Sequence, residues 1–208
     1  MPVGYKGEFG PGVHALVRVL YHAVNTSEPK IVEFFDHIGV HISSGQVSNL
    51  LIKNQDCFHA EKDAVYKAGL RSSPWQHIDE TGTRVNGVNE HCHVVCNPLY
   101  TAYFTTDKKD ALLMVLHHPE ILLHNNPAEI EIRRRVRKRD VSFGPRTEDG
   151  KRAWDTFATL LATTKKLGVS FYRYVYDRVT ESGEIPNLAD LIDQRAQQMN
   201  LAASWESA

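Results

Sequence analysis

The sequence predicts an α+β fold: a helical N-terminal region, a three-stranded antiparallel meander and a helical C-terminal region. Three observations carry this. Before residue 71 the apolar residues recur at helical spacing, as in Val13, Leu16, Val17, Leu20 and Val24. From Trp75 the pattern changes to short runs rich in aromatic and β-branched residues, punctuated by Asn86-Gly87, the strongest short-range hairpin signal. From Asn126 onward helical patterns return, each behind a start signal. The regions so divided are 1–70, 71–140 and 141–208.

In the first region, residues 1–12 are rich in Gly and Pro and predict an irregular arm ahead of a helix over 13–24. Ser27-Glu28-Pro29 opens a second helix, with Ser27 as cap, proline in its first turn and Gly39 as its stop. Ser43 or Ser44 caps a third, GQVSNLLIKN, whose outer side offers Ser44, Gln46, Ser48, Asn49 and Lys53. Helix, glycine-containing turn, helix is the layout of a helix-turn-helix, whose second helix can enter a DNA major groove. It is equally the layout of a helical hairpin that only packs, since the turn is long and the outer face carries little positive charge. Residues 57–70 predict a fourth helix, broken by Ser72 to Pro74.

Residues 75–79, 91–96 and 100–106 predict the three strands. Residues 108–117 predict a short helix ended by Pro119. Asn126 caps the next helix, with Pro127 at its first position and Glu129 three residues after the cap, close to a capping box. Residues 149–167 form a long amphipathic pattern stopped by Gly168. Ser170 caps FYRYVYDRV, and Pro186-Asn187 precedes a last helix.

The bulk numbers bound the function. With 208 residues, 42% hydrophobic and 24% charged, the chain has ordinary globular composition. A formal net charge of −1 leaves no global basic field. The positive charge is concentrated locally, in RRRVRKR at residues 133–139. There is no signal-peptide pattern and no apolar run long enough to span a membrane, so the expectation is a cytoplasmic protein without a membrane partner. Three cysteines fit a reducing compartment. EHCHVVC is a poor zinc site: in a strand Cys92 and Cys96 share one face and His91 and His93 the other, so four ligands do not converge.

Two carboxylates stand out. Asp79 lies on the first strand, in "WQHIDETG", and Glu129 in the first turn of the helix carrying the basic run. Glu129, Arg133 and Arg137 recur every four residues and share a face. Carboxylate oxygens suit Mg²⁺, and arginines suit a phosphate backbone. The plainer readings stand beside this. Glu129 serves equally as a capping-box residue paired with Arg133, Asp79 as a turn residue at a strand end, and the basic run as a solvated face.

The stretches "WQHIDETGTRVNGVNEHCHVV" and "LHNNPAEIEIRRRVRKRDVSFGPRTEDGKRAWDTFATLLATTKKLGVSFYRYVYDR", with "SEPKIVEFFDHIGVHISSGQVSNLLIK" before them, resemble the transposases of the bacterial insertion-sequence family numbered sixty-six. The resemblance covers nearly the whole chain. It implies an Asp-Asp-Glu transposase with a ribonuclease-H-like catalytic fold that cuts transposon ends and joins them to target DNA using Mg²⁺. By motif, Asp79 matches the first catalytic Asp and Glu129 the catalytic Glu, both then metal ligands. Asn125 and Asn126 support them. Arg133, Arg134, Arg137, Lys138 and Arg139 would contact DNA, as would Gln46, Asn49 and Lys53 from the helix-turn-helix-like unit.

One departure matters more than the match. In the family the second catalytic Asp ends a further strand, and a long helical insert precedes the Glu helix. Here about 22 residues lie between the third strand and Glu129, room for one short helix and a loop at usual element lengths. Asp107 and Asp110 lie near this seam, around "TTDKKDALLMVL", but neither occupies the family's position. The expectation is an internally deleted copy, beginning late relative to the family and defective in catalysis. Its partners would be transposon-end DNA and a second copy or an intact transposase, met through an open sheet edge. The alternatives are a non-catalytic DNA-binding protein that inhibits an intact relative, and a product without a selected role.

Overall fold

The computed structural model describes residues 8–107, 121–122 and 126–201. The chain enters at α1 (Pro11–Arg18), with proline at its first position where no intrahelical N–H is required, and winds on into a π-helical turn, Val19–Ala23. Next come α2 (Glu28–His37) and α3 (Ser44–Ile52). Ser43 caps α3 as predicted, its Oγ accepting the Gln46 N–H at 3.1 Å. Ser27 precedes α2 with extended backbone, but its side chain makes no cap hydrogen bond. Gly39, at φ +76°, turns the chain out of α2. These helices close around Val17, Ile31, Phe35, Val47 and Leu51, together with Trp154 from far along the chain. Then α4 (Asp56–Arg71) leads into the sheet.

Strands β1 (Gln76–Val85), β2 (Val88–Cys96) and β3 (Thr101–Thr106) form the predicted meander. Asn86 and Gly87 both take positive φ, 49° and 81°, as a two-residue hairpin turn of the primed kind requires. That turn is also why β1 and β2 run longer than predicted. A two-residue loop pairs the arms directly, Val85 against Val88, so the ladder continues past Asp79 to the turn. Asp79 is therefore inside a strand rather than at its end.

A fourth strand corrects the three-stranded expectation. β4 (Ile121–Leu122) pairs parallel with Gln76 and His77, giving the order β3-β2-β1-β4. The predicted helix over 108–117 lies outside the described residues. Among the described residues four helices follow: α5 (Asn126–Ser142), α6 (Glu148–Lys166), α7 (Phe171–Thr180) and α8 (Leu188–Met199). Asn126 is the first residue of α5. Thr147 and Ser170 cap α6 and α7, accepting the Gly150 and Arg173 N–H groups.

The sheet has two covered faces. On one, Ile78, Val95 and Ala102 join Ala15, Phe58, Val65, Phe157, Tyr174, Leu188 and Ile192 in the largest core cluster, which draws on all three sequence regions. On the other, Cys92, Val94, Cys96 and Tyr103 pack against Ala128 and Ile132 of α5 and Ala162 of α6.

The free edge of β3 is closed by α6. Thr163, Thr159 and Asp155 lie four residues apart on one face of that helix, and β3 directs an outward N–H at every second residue. Thr163 Oγ1 accepts from Thr101 N (3.3 Å), Thr159 Oγ1 from Tyr103 N (3.0 Å) and Asp155 Oδ2 from Thr105 N (2.7 Å). The open edge expected from the sequence is thereby sealed on this side, because an amphipathic helix presents polar groups at the spacing of a strand. On the opposite side, among the described residues, β4 pairs with the first two residues of β1.

Candidate active site and nucleic-acid interface

Asp79 pairs in register with Val94, and Val94 packs against Ala128 and Ile132. The alternation of the strand therefore places Asp79 on the sheet face that α5 covers, where Glu129 follows Ala128. Two acids 50 positions apart in the sequence are brought into electrostatic contact. Burial raises the Asp79 carboxyl above its ordinary value, and the charges of Glu129 and Glu80 push the same way. The Glu80 N–H opposes them, donating to Asp79 Oδ1 at 2.8 Å. Glu129 itself is exposed, with Arg133 Nη2 at 3.6 Å from its carboxylate.

The helical period divides the basic run. Arg133, Arg134 and Arg137 are exposed, and Arg134 pairs with Glu131 at 2.6 Å. Arg139 is partly buried and donates to the Gly82 carbonyl at 2.7 Å, hooking α5 to β1. Arg135 is buried and pairs with Asp155 at 2.6 Å. Lys138 is buried too, donating to the Tyr21 carbonyl with its ammonium 3.6 Å from the Tyr21 ring centre. Lys138 thus does not belong to the outward basic surface expected from the sequence. Positions 131, 135 and 138 share the inward face at three- and four-residue spacing, so a run of seven cannot all face solvent.

On α3, Asn49 is exposed and Gln46 half-buried; Lys53 is exposed just past the helix end. The start of α3 (Ser44, Ser48) faces the chain after α5 (Phe143 to Arg146) across a shared cavity. Glu129 lies at the other end of α5, about 20 Å away along a helix rising 1.5 Å per residue. The helix-turn-helix-like unit and the carboxylate pair therefore occupy opposite ends of α5. Asp107 is exposed at the end of β3, while Asp110 and Asn125 lie outside the described residues.

The faces of the side chains in EHCHVVC are as the strand alternation predicts. Cys92 and Cys96 point into the core under α5, where burial pushes both thiols up to about 11. His91 and His93 lie on the other face with Glu80, whose oxygens are 3.9 and 3.6 Å from their Nδ1 atoms. Among the described residues no group of three or more His, Cys, Asp or Glu side chains is placed to hold a metal ion. No helix among them is long and apolar enough to cross a membrane.

Sequence reasoning passed over Asp155, Thr159 and Thr163, although their four-residue spacing was visible. It also passed over a cavity between the turn after α1 and helices α5 and α6. Its members come from four distant segments, around His22, Tyr103, Arg135 and Trp154, and the sequence carries no signal that joins them.

No family model matches the chain, and no solved structure matches it. Over 90 residues it is 44% identical to a protein of Sinorhizobium fredii named "Uncharacterized protein y4jO", covering 43% of this chain and 28% of that one. The chain thus spans less than a third of the length of this relative, whose name states no function.

Proposed function

We propose that this chain is a transposase-family protein of the Asp-Asp-Glu type, related to insertion-sequence family sixty-six, that keeps two of the three catalytic carboxylates and has lost strand transfer. The observation that carries the reading is that Asp79, on the first strand, lies on the sheet face covered by the helix of Glu129, close enough for the Glu129 charge to raise its carboxyl. A meander followed by a strand parallel to β1 supports a partial ribonuclease-H-like fold.

Mg²⁺ is the ion this family implies. Asp79 and Glu129 are the residues that would hold it, and when bound it would neutralise phosphate charge. Asp79 already accepts from Glu80, and Glu129 lies beside Arg133. What remains fits one weakly held cation completed by water and phosphate, not a two-ion clamp. Arg133 and Arg137, exposed on the Glu129 side of α5, are the phosphate-contacting residues of the proposal.

The test is a cleavage assay with Mg²⁺ on DNA carrying the ends of a complete related element, with Asp79→Ala and Glu129→Ala alongside. The expected result is no cutting by any of the three. Cutting by the parent and by neither mutant would overturn the defect and make both acids catalytic. The alternative, a non-catalytic DNA-binding protein that inhibits an intact transposase, is favoured by the exposed Arg133, Arg134 and Arg137. It predicts DNA binding that weakens steeply with salt and is reduced by Arg133→Gln and Arg137→Gln.

A further inference from the structure

Apart from the carboxylate pair, the described residues form a cavity of about 390 Å³ between the π turn after α1, Tyr103 of β3, α5 from Glu131 to Lys138 and α6 from Trp154 to Lys165. Its size falls within the ~300–1,000 Å³ range of small-ligand sites. The floor is apolar, made by Trp154, Ala158, Leu161 and Ala162. The walls are cationic: Arg134, Arg135, Arg137, Lys138 and Lys165, against one lining acid, Glu131.

These cations are not all neutralised. Glu131 takes Arg134, and Asp155 takes Arg135. Among the described residues Arg137, Lys138 and Lys165 have no carboxylate ion pair. Two lining residues also hold buried nitrogens with no hydrogen-bond partner there, Nε2 of His22 and Nε of Arg135. Arg137 and Lys165, both exposed at the rim, are thus the cations of this concavity left without a carboxylate, and beside them the buried Lys138 amine is held down to about 7 by burial and by Arg135. An anion here would pair Arg137 and Lys165, favour the protonated form of Lys138 and give the buried Arg135 Nε–H an acceptor.

We infer that this cavity binds a phosphate group carried on an apolar or aromatic body of about the size of one nucleotide, the body against the Trp154 floor and the phosphate among Arg137, Lys138 and Lys165. A free mononucleotide and the phosphorylated end of a DNA strand share this chemistry. Neither Asp79 nor Glu129 lines the cavity; Arg137 is shared with the phosphate-contacting surface proposed above, so Lys165 is the position that separates the two readings.

The experiment is calorimetric titration of the intact protein with a nucleoside 5′-monophosphate, the corresponding nucleoside, and a short single strand with and without its 5′-phosphate. The same series is run on Arg137→Gln and Lys165→Gln, both exposed positions, with circular dichroism checking that each variant keeps the fold. The monophosphate is expected to bind at least tenfold more tightly than the nucleoside, with each variant weakened about tenfold. Phosphate-dependent binding of the strand alone assigns the site to a strand end. Equal binding of nucleoside and monophosphate, no binding by any probe, or full affinity in both variants overturns the inference.

Discussion

Asp155 Oδ2 accepts the Thr105 N–H at 2.7 Å while its other oxygen takes the Thr105 hydroxyl at 2.8 Å and the Arg135 guanidinium at 2.6 Å. One buried carboxylate thus seals the end of the β3 edge, neutralises the buried Arg135 and ties α6 to α5 through the sheet. Asp155→Ala leaves Arg135 charged and unpaired in the interior. It is expected to cost about 3–5 kcal/mol in urea unfolding. Thr159→Val removes one acceptor from the edge without stranding a charge. It is expected to cost about 1–3 kcal/mol, the penalty of an unsatisfied buried Tyr103 N–H.

Lys138 ties stability to pH. Burial, with Arg135 nearby, holds its amine down to about 7 from an unfolded value near 10.5; Glu28 acts weakly the other way. Between those values the unfolded chain holds one more proton than the folded chain. Stability from this group therefore rises with pH across that window and is lowest below about 7. The other titratable groups around it are Tyr21 and His22 from the α1 side, Glu131 on α5 and Lys165 on α6. Lys138→Met removes the cost of burying the ammonium. Its stability relative to the parent is expected to be greater at pH 6 than at pH 10 by roughly 2–4 kcal/mol. Urea midpoints at the two pH values measure this, and an equal difference at both would refute it.

The pairing of Asp79 with Glu129 has its own readout. The ¹³C shift of the Asp79 carboxyl, followed by NMR against pH, is expected to titrate above an ordinary aspartate. Glu129→Gln is expected to lower that value without restoring it fully, because burial is the larger cause. An unchanged midpoint in Glu129→Gln would mean that the two carboxylates do not meet.

Gly69 tests the packing of α4 on the sheet. A Cβ there would lie 2.4 Å from ring atoms of Tyr100, which is fully buried and donates its hydroxyl to Gln76 at 3.0 Å. Gly69→Ala is expected to destabilise by about 1–3 kcal/mol through overpacking. Gly45→Ala on α3, with open space around it, is expected to be neutral or stabilising by up to ~1 kcal/mol. Thermal melts of the two variants separate a steric effect from helix propensity.

Much of the architecture was legible because its signals are local. Ser43, Pro127, Asn86-Gly87, Gly39 and Ser170 act through their own backbone and its nearest neighbours, so helix starts, the hairpin and the stops can be read without knowing the fold. The face assignments of Cys92, Cys96, His91 and His93 follow from strand alternation and hold. Element ends were less legible. Where β1 stops depends on its partner, and pairing carries it past Asp79 to Val85.

The sequence by itself determined the α+β class, the meander, the caps at Ser43 and Ser170 and the two acids worth following, since periodicity, turn chemistry and residue type are properties of short segments. Only the tertiary structure decided which side of the basic helix faces water, placing Arg133 and Arg137 outside and Arg135 and Lys138 inside. It alone decided that α6 seals β3 and that a fourth strand lies beside β1. The physical reason is shared. Charge exposure, edge closure and the meeting of Asp79 with Glu129 depend on contacts between residues tens of positions apart, and burial is set by what packs above a residue rather than by its neighbours in the chain.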